Sequence, residues 1–217
     1  MLQKVNGLKK LKRFRLNKKF IYLISPNKIK NNFFYNELVK IFKLKKVTFF
    51  QLRLKNESKK KKLIAAQKIK KICKKYKVKF IINDDPFLAK KVNSDGCHLG
   101  QKDINILKAR KILKNRIIGV PCHNSKKLVK TALKNKADYI ALGAFYVTKT
   151  KKTRHKANIK ILNWSKKITN IPIVAIGGVK LENYKKLLLN KANFLAISSY
   201  VWNNKKYKPA EAISKLK

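Results

Sequence analysis

The chain has 217 residues with 45% hydrophobic content, enough for one domain with a sizeable core. Its net charge of +48 comes from 57 basic and 9 acidic residues, but 51 of the basic residues are Lys spread from Lys4 to Lys217, which argues for compositional drift over a clustered, Arg-rich nucleic-acid surface. A membrane span, a signal peptide, a disulfide framework and a zinc site are not expected: no apolar run approaches about 18 residues, Phe20–Ser25 is too short for a leader, Cys73, Cys97 and Cys122 contain no C-x-x-C pair, and His98, His123 and His155 lack metal spacing.

Residues 1–18 read as a basic N-terminal extension and 19–217 as one catalytic domain, with a reducing cytoplasm as its setting. The first strand is expected at Phe20–Ile24 and the second at Val47–Leu52, leading into Gln51-Leu52-Arg53-Leu54-Lys55. A helix follows, with Leu63, Ala66, Ile69 and Ile72–Cys73 at i, i+3, i+4 spacing. The third strand, Val78–Ile82, runs into Asn83-Asp84-Asp85, and the fourth, Gly96–Leu99, into Gly100-Gln101-Lys102-Asp103. The fifth is Ile117–Val120, with Pro121 in the loop beyond it. The sixth, Tyr139–Leu142, leads through Gly143 to Thr148-Lys149-Thr150-Lys151. The seventh, Ile173–Ile176, ends in Gly177-Gly178, and the eighth, Phe194–Ile197, in Ser198-Ser199. Eight nearly continuous apolar strands separated by amphipathic helices predict an α/β fold, a single closed (β/α)8 TIM barrel.

In such a barrel the polar strand ends carry function. Four of the nine acids, Asp84, Asp85, Asp95 and Asp103, fall within twenty positions. Asp84 and Asp103 follow adjacent strands and suit a hard cation such as Mg2+, which takes one or two carboxylates plus phosphate oxygens. Equally, Asp103 stands where it would cap a helix starting near Asn105. Period-two spacing puts Gln51, Arg53 and Lys55 on one face, for a phosphate or as an inward polar layer neutralised by Asp84. Thr148, Thr150 and Lys151 make an anion cradle. Gly177-Gly178 and Ser198-Ser199 occupy the usual phosphate position of this barrel, and the glycines also suit a tight turn.

The stretches Gln51–Lys55, Phe80–Asp84, Asp95–Asp103, Ala137–Gly143, Thr148–Lys151 and Ile171–Gly178, in this order and at these separations, resemble the thiamine-phosphate synthase family over roughly Tyr22 to Val201. The resemblance implies a transferase that condenses hydroxymethylpyrimidine diphosphate with thiazole phosphate to give thiamine phosphate and diphosphate. It implies that Gln51, Arg53, Lys55, Asn83 and Lys151 bind the pyrimidine diphosphate, with Arg53, Lys55 and Lys151 acting on the leaving group. Asp84 and Asp103 would hold Mg2+, and Thr148, Thr150, Gly177, Gly178, Ser198 and Ser199 the thiazole phosphate. Partners are then small phosphorylated substrates, with no specific nucleic acid and no membrane; a homo-oligomer is compatible with this.

The chain departs from the family's pattern at four places: Asp85 stands for an Arg, Pro121 for a Ser, Ala144 for a Pro and Phe194 for a Gly. Pro121 bears on rate, with Cys122, His123 or Ser125 as replacements for the lost hydroxyl. The Lys-rich stretch Lys152–Lys160 is the expected lid. Two other readings are a thiazole tautomerase using His123 as base and a non-catalytic polyanion-binding barrel.

Overall fold

In the computed structural model, residues 20–29, 31–148 and 156–216 are described. Eight parallel strands close into a barrel in chain order: β1 (Ile21–Ile24), β2 (Val47–Leu52), β3 (Lys79–Asn83), β4 (Gly96–His98), β5 (Ile117–His123), β6 (Tyr139–Gly143), β7 (Ile173–Ile176) and β8 (Phe194–Ile197). The helices are α1 (Asn32–Lys43), α2 (Lys59–Lys75), α3 (Pro86–Lys91), α4 (Ile106–Leu113), α5 (Lys126–Lys134), α6 (Lys160–Ile168), α7 (Tyr184–Leu189), α8 (Ser199–Trp202) and α9 (Pro209–Lys215). None of them is long and apolar enough to cross a membrane. The N-terminal extension, residues 1–18, lies outside the described residues.

Four helix starts are written in the sequence as caps. Side-chain oxygens of Ser58, Asp85, Asn105 and Ser125 accept from the N–H groups of Lys61, Leu88, Lys108 and Leu128. Each such cap is worth about 1 kcal/mol. Asp85 therefore has a local task in this chain: it starts α3, with Pro86 at the first helical position. Asn105, not Asp103, caps α4, which removes the capping alternative for Asp103.

Two apolar layers result from alternation along the strands. Residues such as Phe50, Phe80 and Leu195 face the helices, against Leu38, Ile69 and Leu187. Tyr22, Phe49, Ile81, Tyr139, Val174 and Phe194 fill the barrel itself. Phe49 and Phe194 meet edge to face at 5.1 Å, so the aromatic ring at 194 occupies the barrel centre. Gly119 makes room for Tyr139: a Cβ there would fall 1.8 Å from the phenol ring.

The barrel floor repeats one device. Asp95, Asp138 and Asn193 each immediately precede an even-numbered strand. Each donates its N–H to a carbonyl on the preceding odd strand, and its side-chain oxygen accepts the N–H of that same residue: Phe80, Ile118 and Ile173 respectively. This pins strand pairs in register and satisfies N–H groups that would otherwise be buried unpaired.

Strand β5 runs to His123, three residues beyond the expected end, so Pro121 lies inside a strand and not in a loop. The β5–β6 register slips between Pro121 and His123, and His123 has φ 53°. A bulge is where a strand tolerates a residue with no N–H.

Candidate active site

The mouth of the barrel, at the C-terminal strand ends, has two unlike sides. On the β2–β4 side, Asp84 follows β3 and Asp103 follows β4. Asp84 is held with φ 65°, its N–H donating to the His98 carbonyl at 2.8 Å. Asp103 folds back so that its carboxylate accepts the Gly100 N–H at 2.7 Å. A Cβ on Gly100 would lie 2.6 Å from Asp103 Oδ2 and 3.5 Å from Asp84 Oδ1, so glycine lets both carboxylates close on this point. Burial, then the adjacent Asp103, raise the pKa of the Asp84 carboxyl, against the opposing pull of Lys55 and Arg53. Lys55 Nζ is 3.6 Å from Asp84. A cleft of about 460 Å3 opens here, lined by Lys55, Asn83, Asp84, Asp85, Asp103 and the exposed ring of Phe87.

Gln51, Arg53 and Lys55 meet different partners. Strand β2 ends at Leu52, and Leu52 and Leu54 both pack in the helix-facing layer. Gln51 turns into the barrel, where its Nε2 is 3.2 Å from Tyr22 Oη. Arg53 reaches Asn27 at 3.0 Å, and its N–H is fixed by the Ser25 hydroxyl at 2.9 Å. Only Lys55 joins Asp84 directly. The inward partner of Gln51 is thus a phenol and not Asp84.

On the β6–β8 side the main chain does the shaping. Gly177 and Gly178 have φ 103° and 63°, in the left-handed region that favours glycine. Cβ atoms there would run into Ala144 at 2.3 Å and the Val147 carbonyl at 2.4 Å. The loop after β7 is thereby pressed against Ala144–Val147 of the loop after β6. Asn183 locks it, donating to the Gly178 carbonyl and accepting from the Lys180 N–H, both at 2.9 Å. Ser198 donates its hydroxyl to the Ser25 carbonyl at 3.2 Å, tying β8 to β1, and Ser199 opens α8. Thr150, Lys151 and the first part of the expected lid, residues 152–155, lie outside the described residues. Past that segment, Ala157 N–H donates to the Ala144 carbonyl at 2.7 Å.

One feature escaped the sequence reading. His98 Nδ1 is 2.8 Å from Tyr139 Oη, which is 2.8 Å from Tyr22 Oη. With Gln51 these form a polar chain across the barrel interior. Burial holds the His98 imidazole at about 4, Asp103 pulling upward, so it is neutral at physiological pH. The signal was present as polar tips, Tyr22, Gln51 and Tyr139, at inward positions of otherwise apolar strands. Among the described residues no cluster of three or more His, Cys, Asp or Glu side chains gathers; Asp84 and Asp103 are a pair.

Fold and site define a (β/α)8-barrel enzyme with a carboxylate pair and cationic side chains on one side of the mouth and a glycine-shaped loop on the other. The family model for thiamine monophosphate synthase matches residues 21–201. The thiamine-phosphate synthase of Pelagibacter ubique (strain HTCC1062) is 66% identical over 207 residues, covering 95% of this chain and 100% of that protein. That of Rhodospirillum centenum (strain ATCC 51521 / SW) is 36% identical over 85% of this chain and 89% of its own length. A solved thiamine phosphate pyrophosphorylase from Pyrococcus furiosus superposes with TM-score 0.81 at 25% identity, over 93% of this chain and 95% of that one. The chain belongs to the thiamine monophosphate synthase family. The tautomerase and polyanion-binding readings are not favoured by these relatives.

Proposed function

We infer that this chain makes thiamine phosphate and diphosphate from hydroxymethylpyrimidine diphosphate and thiazole phosphate, with Mg2+ held by Asp84 and Asp103. It works as a transferase of the thiamine-phosphate synthase kind. The observation that carries the metal and site assignment is the Asp84–Asp103 pair with Lys55 at 3.6 Å and Arg53 nearby. Burial and then the facing Asp103 carboxylate raise Asp84, and a divalent cation would offset both. Two carboxylates are also the number that Mg2+ takes when substrate phosphates complete its shell.

Bound there, Mg2+ supplies positive charge to the diphosphate oxygens. Arg53, Lys55 and Lys151 neutralise the diphosphate as its bond to the pyrimidine methylene breaks, and Asn83 and Gln51 orient the pyrimidine half. Thr148, Thr150, Gly177, Gly178, Ser198 and Ser199 hold the thiazole phosphate so that the ring nitrogen faces the electron-poor methylene carbon. The nitrogen lone pair forms the new C–N bond, and no side-chain nucleophile is needed. Charge stabilisation and alignment are then the sources of rate. Cytoplasmic residence fits three buried, free thiols. The test is a product assay with both phosphorylated precursors, with and without Mg2+. The expected result is thiamine phosphate only when both precursors and the cation are present; turnover undiminished by a chelator would reject the metal assignment.

A further inference from the structure

The interior chain Gln51–Tyr22–Tyr139–His98 has a direction. Gln51 Nε2 lies 3.2 Å from Tyr22 Oη, Tyr22 Oη 2.8 Å from Tyr139 Oη, and Tyr139 Oη 2.8 Å from His98 Nδ1. An amide N–H only donates, and each phenol has one proton to give. Gln51 therefore gives to Tyr22, the Tyr22 proton goes on to Tyr139, and the Tyr139 proton goes to Nδ1. Nδ1 spends its lone pair, so the ring proton of a neutral imidazole sits on Nε2. Reversing the amide reverses every bond: Oε1 would accept from Tyr22, and Nδ1 would have to carry the proton. The four groups have two self-consistent states, and the donor at the Gln51 end selects one.

We propose that Gln51, acting through Tyr22 and Tyr139, sets the tautomer of His98, so that the imidazole at the end of β4 presents an Nε2–H donor.

Tyr22 and Tyr139 are positioning residues in this scheme. Burial pushes both phenols up, which keeps the single proton on each. The packing fits a fixed relay. Tyr22 lies against Phe49 at 5.3 Å, His98 stacks on Tyr139 at 5.7 Å and 20°, and Gly119 leaves Tyr139 the space it occupies. Nδ1 faces Tyr139, so Nε2, across the ring, faces away from it. A ring bound at the mouth would meet this hydrogen-bond polarity. That consequence rests on the reaction proposed above, whereas the tautomer itself does not.

The test uses the full chain, 15N-labelled and free of substrates, at neutral pH. Long-range 1H–15N correlation spectra read the two ring nitrogens of His98, assigned by loss of the signals in His98→Gln. The expected wild-type pattern is Nε2–H. In Gln51→Glu the carboxylate can only accept, and the pattern is expected to switch to Nδ1–H, a swing in tautomer ratio of roughly tenfold or more for one reversed hydrogen bond. Tyr22→Phe cuts the relay and is expected to move His98 toward a mixture, which keeps the proposal testable should Gln51→Glu fail to fold. An Nδ1–H wild type, or an unchanged Nε2–H pattern in a folded Gln51→Glu or Tyr22→Phe chain, overturns it. No activity is measured, so a failure here is distinct from a failure of the proposed reaction.

Discussion

Asp95 and Asp138 stand at the floor of the barrel, each just before a strand, while Asp84 and Asp103 stand at its mouth, each beyond a strand end. At the floor, each carboxylate has both a positive and an N–H partner. Asp95 meets Lys79 at 2.9 Å, Lys70 at 3.2 Å and the Phe80 N–H at 3.0 Å, and these together hold its pKa below the usual carboxylate range despite burial. Asp138 meets Arg110 at 2.6 Å and the Ile118 N–H at 2.8 Å. At the mouth, Asp84 faces another carboxylate, and its pKa moves the other way. In a chain with 57 basic and 9 acidic residues, cations are everywhere, so two acids left facing each other are a costly arrangement. Floor acids hold the fold; mouth acids are held by it against their own electrostatics, as functional groups often are.

Substitutions should separate the two ends cleanly. The largest effect is expected from Asp84→Ala or Asp103→Ala, which should lower turnover by at least about 10²–10³ while the circular dichroism spectrum and cooperative melting persist. Full activity in either variant at sub-millimolar Mg2+ would end the metal assignment. Asp95→Ala should do the opposite. It leaves the Phe80 N–H and two ammonium groups without their acceptor, at a cost of about 2 kcal/mol, or a melting point lower by roughly 4–8 °C. Turnover per folded molecule should stay within about twofold; a selective loss of activity would move Asp95 out of the floor's structural set.

Asp84→Asn sharpens the contrast, because asparagine also tolerates a positive φ. A carboxyl whose folded pKa is raised is penalised when ionised, and the penalty is present at pH 7 and relieved as pH falls through the folded value. For Asp95, with its pKa lowered, the stabilisation is present above the unfolded value of about 3.9 and lost as pH falls below it. Without added cation, Asp84→Asn should therefore melt about 1–3 °C above wild type at pH 7 while losing activity, and the gap should close as the pH approaches 4. An unchanged or lower melting point at pH 7 would count against the raised pKa. The smallest effect concerns Pro121. Pro121→Ser restores an N–H and a hydroxyl within the β5 bulge, where the Pro121 carbonyl already accepts from Gln101. Turnover should rise by less than about tenfold, well short of a full donor's worth in a dry site. A slower serine variant together with an inactive His123→Ala would place His123 in the chemistry instead.

The sequence by itself determined the barrel and the position of its mouth. Eight apolar runs of strand length, separated by amphipathic helices, leave few ways to bury both faces of every strand. Asp84, Asp103, Gly177-Gly178 and Ser198 were legible because they follow such runs directly. The one cap read from the sequence, at Asp103, falls in the structure to Asn105, two residues nearer the helix. Only the tertiary structure decided which partner each polar group meets. The close spacing of Asp84, Asp85, Asp95 and Asp103 read as one cluster, but Asp95 lies at the opposite end of the barrel, because a strand passes between it and Asp103. Gln51, Arg53 and Lys55 each meet a different partner, Tyr22, Asn27 and Asp84. The relay to His98 joins residues 22, 51, 98 and 139, brought together by barrel closure and by the space Gly119 leaves. Alternation along a strand is a local property and can be read in order; hydrogen bonds across a closed barrel depend on which strands face one another, and only closure sets that.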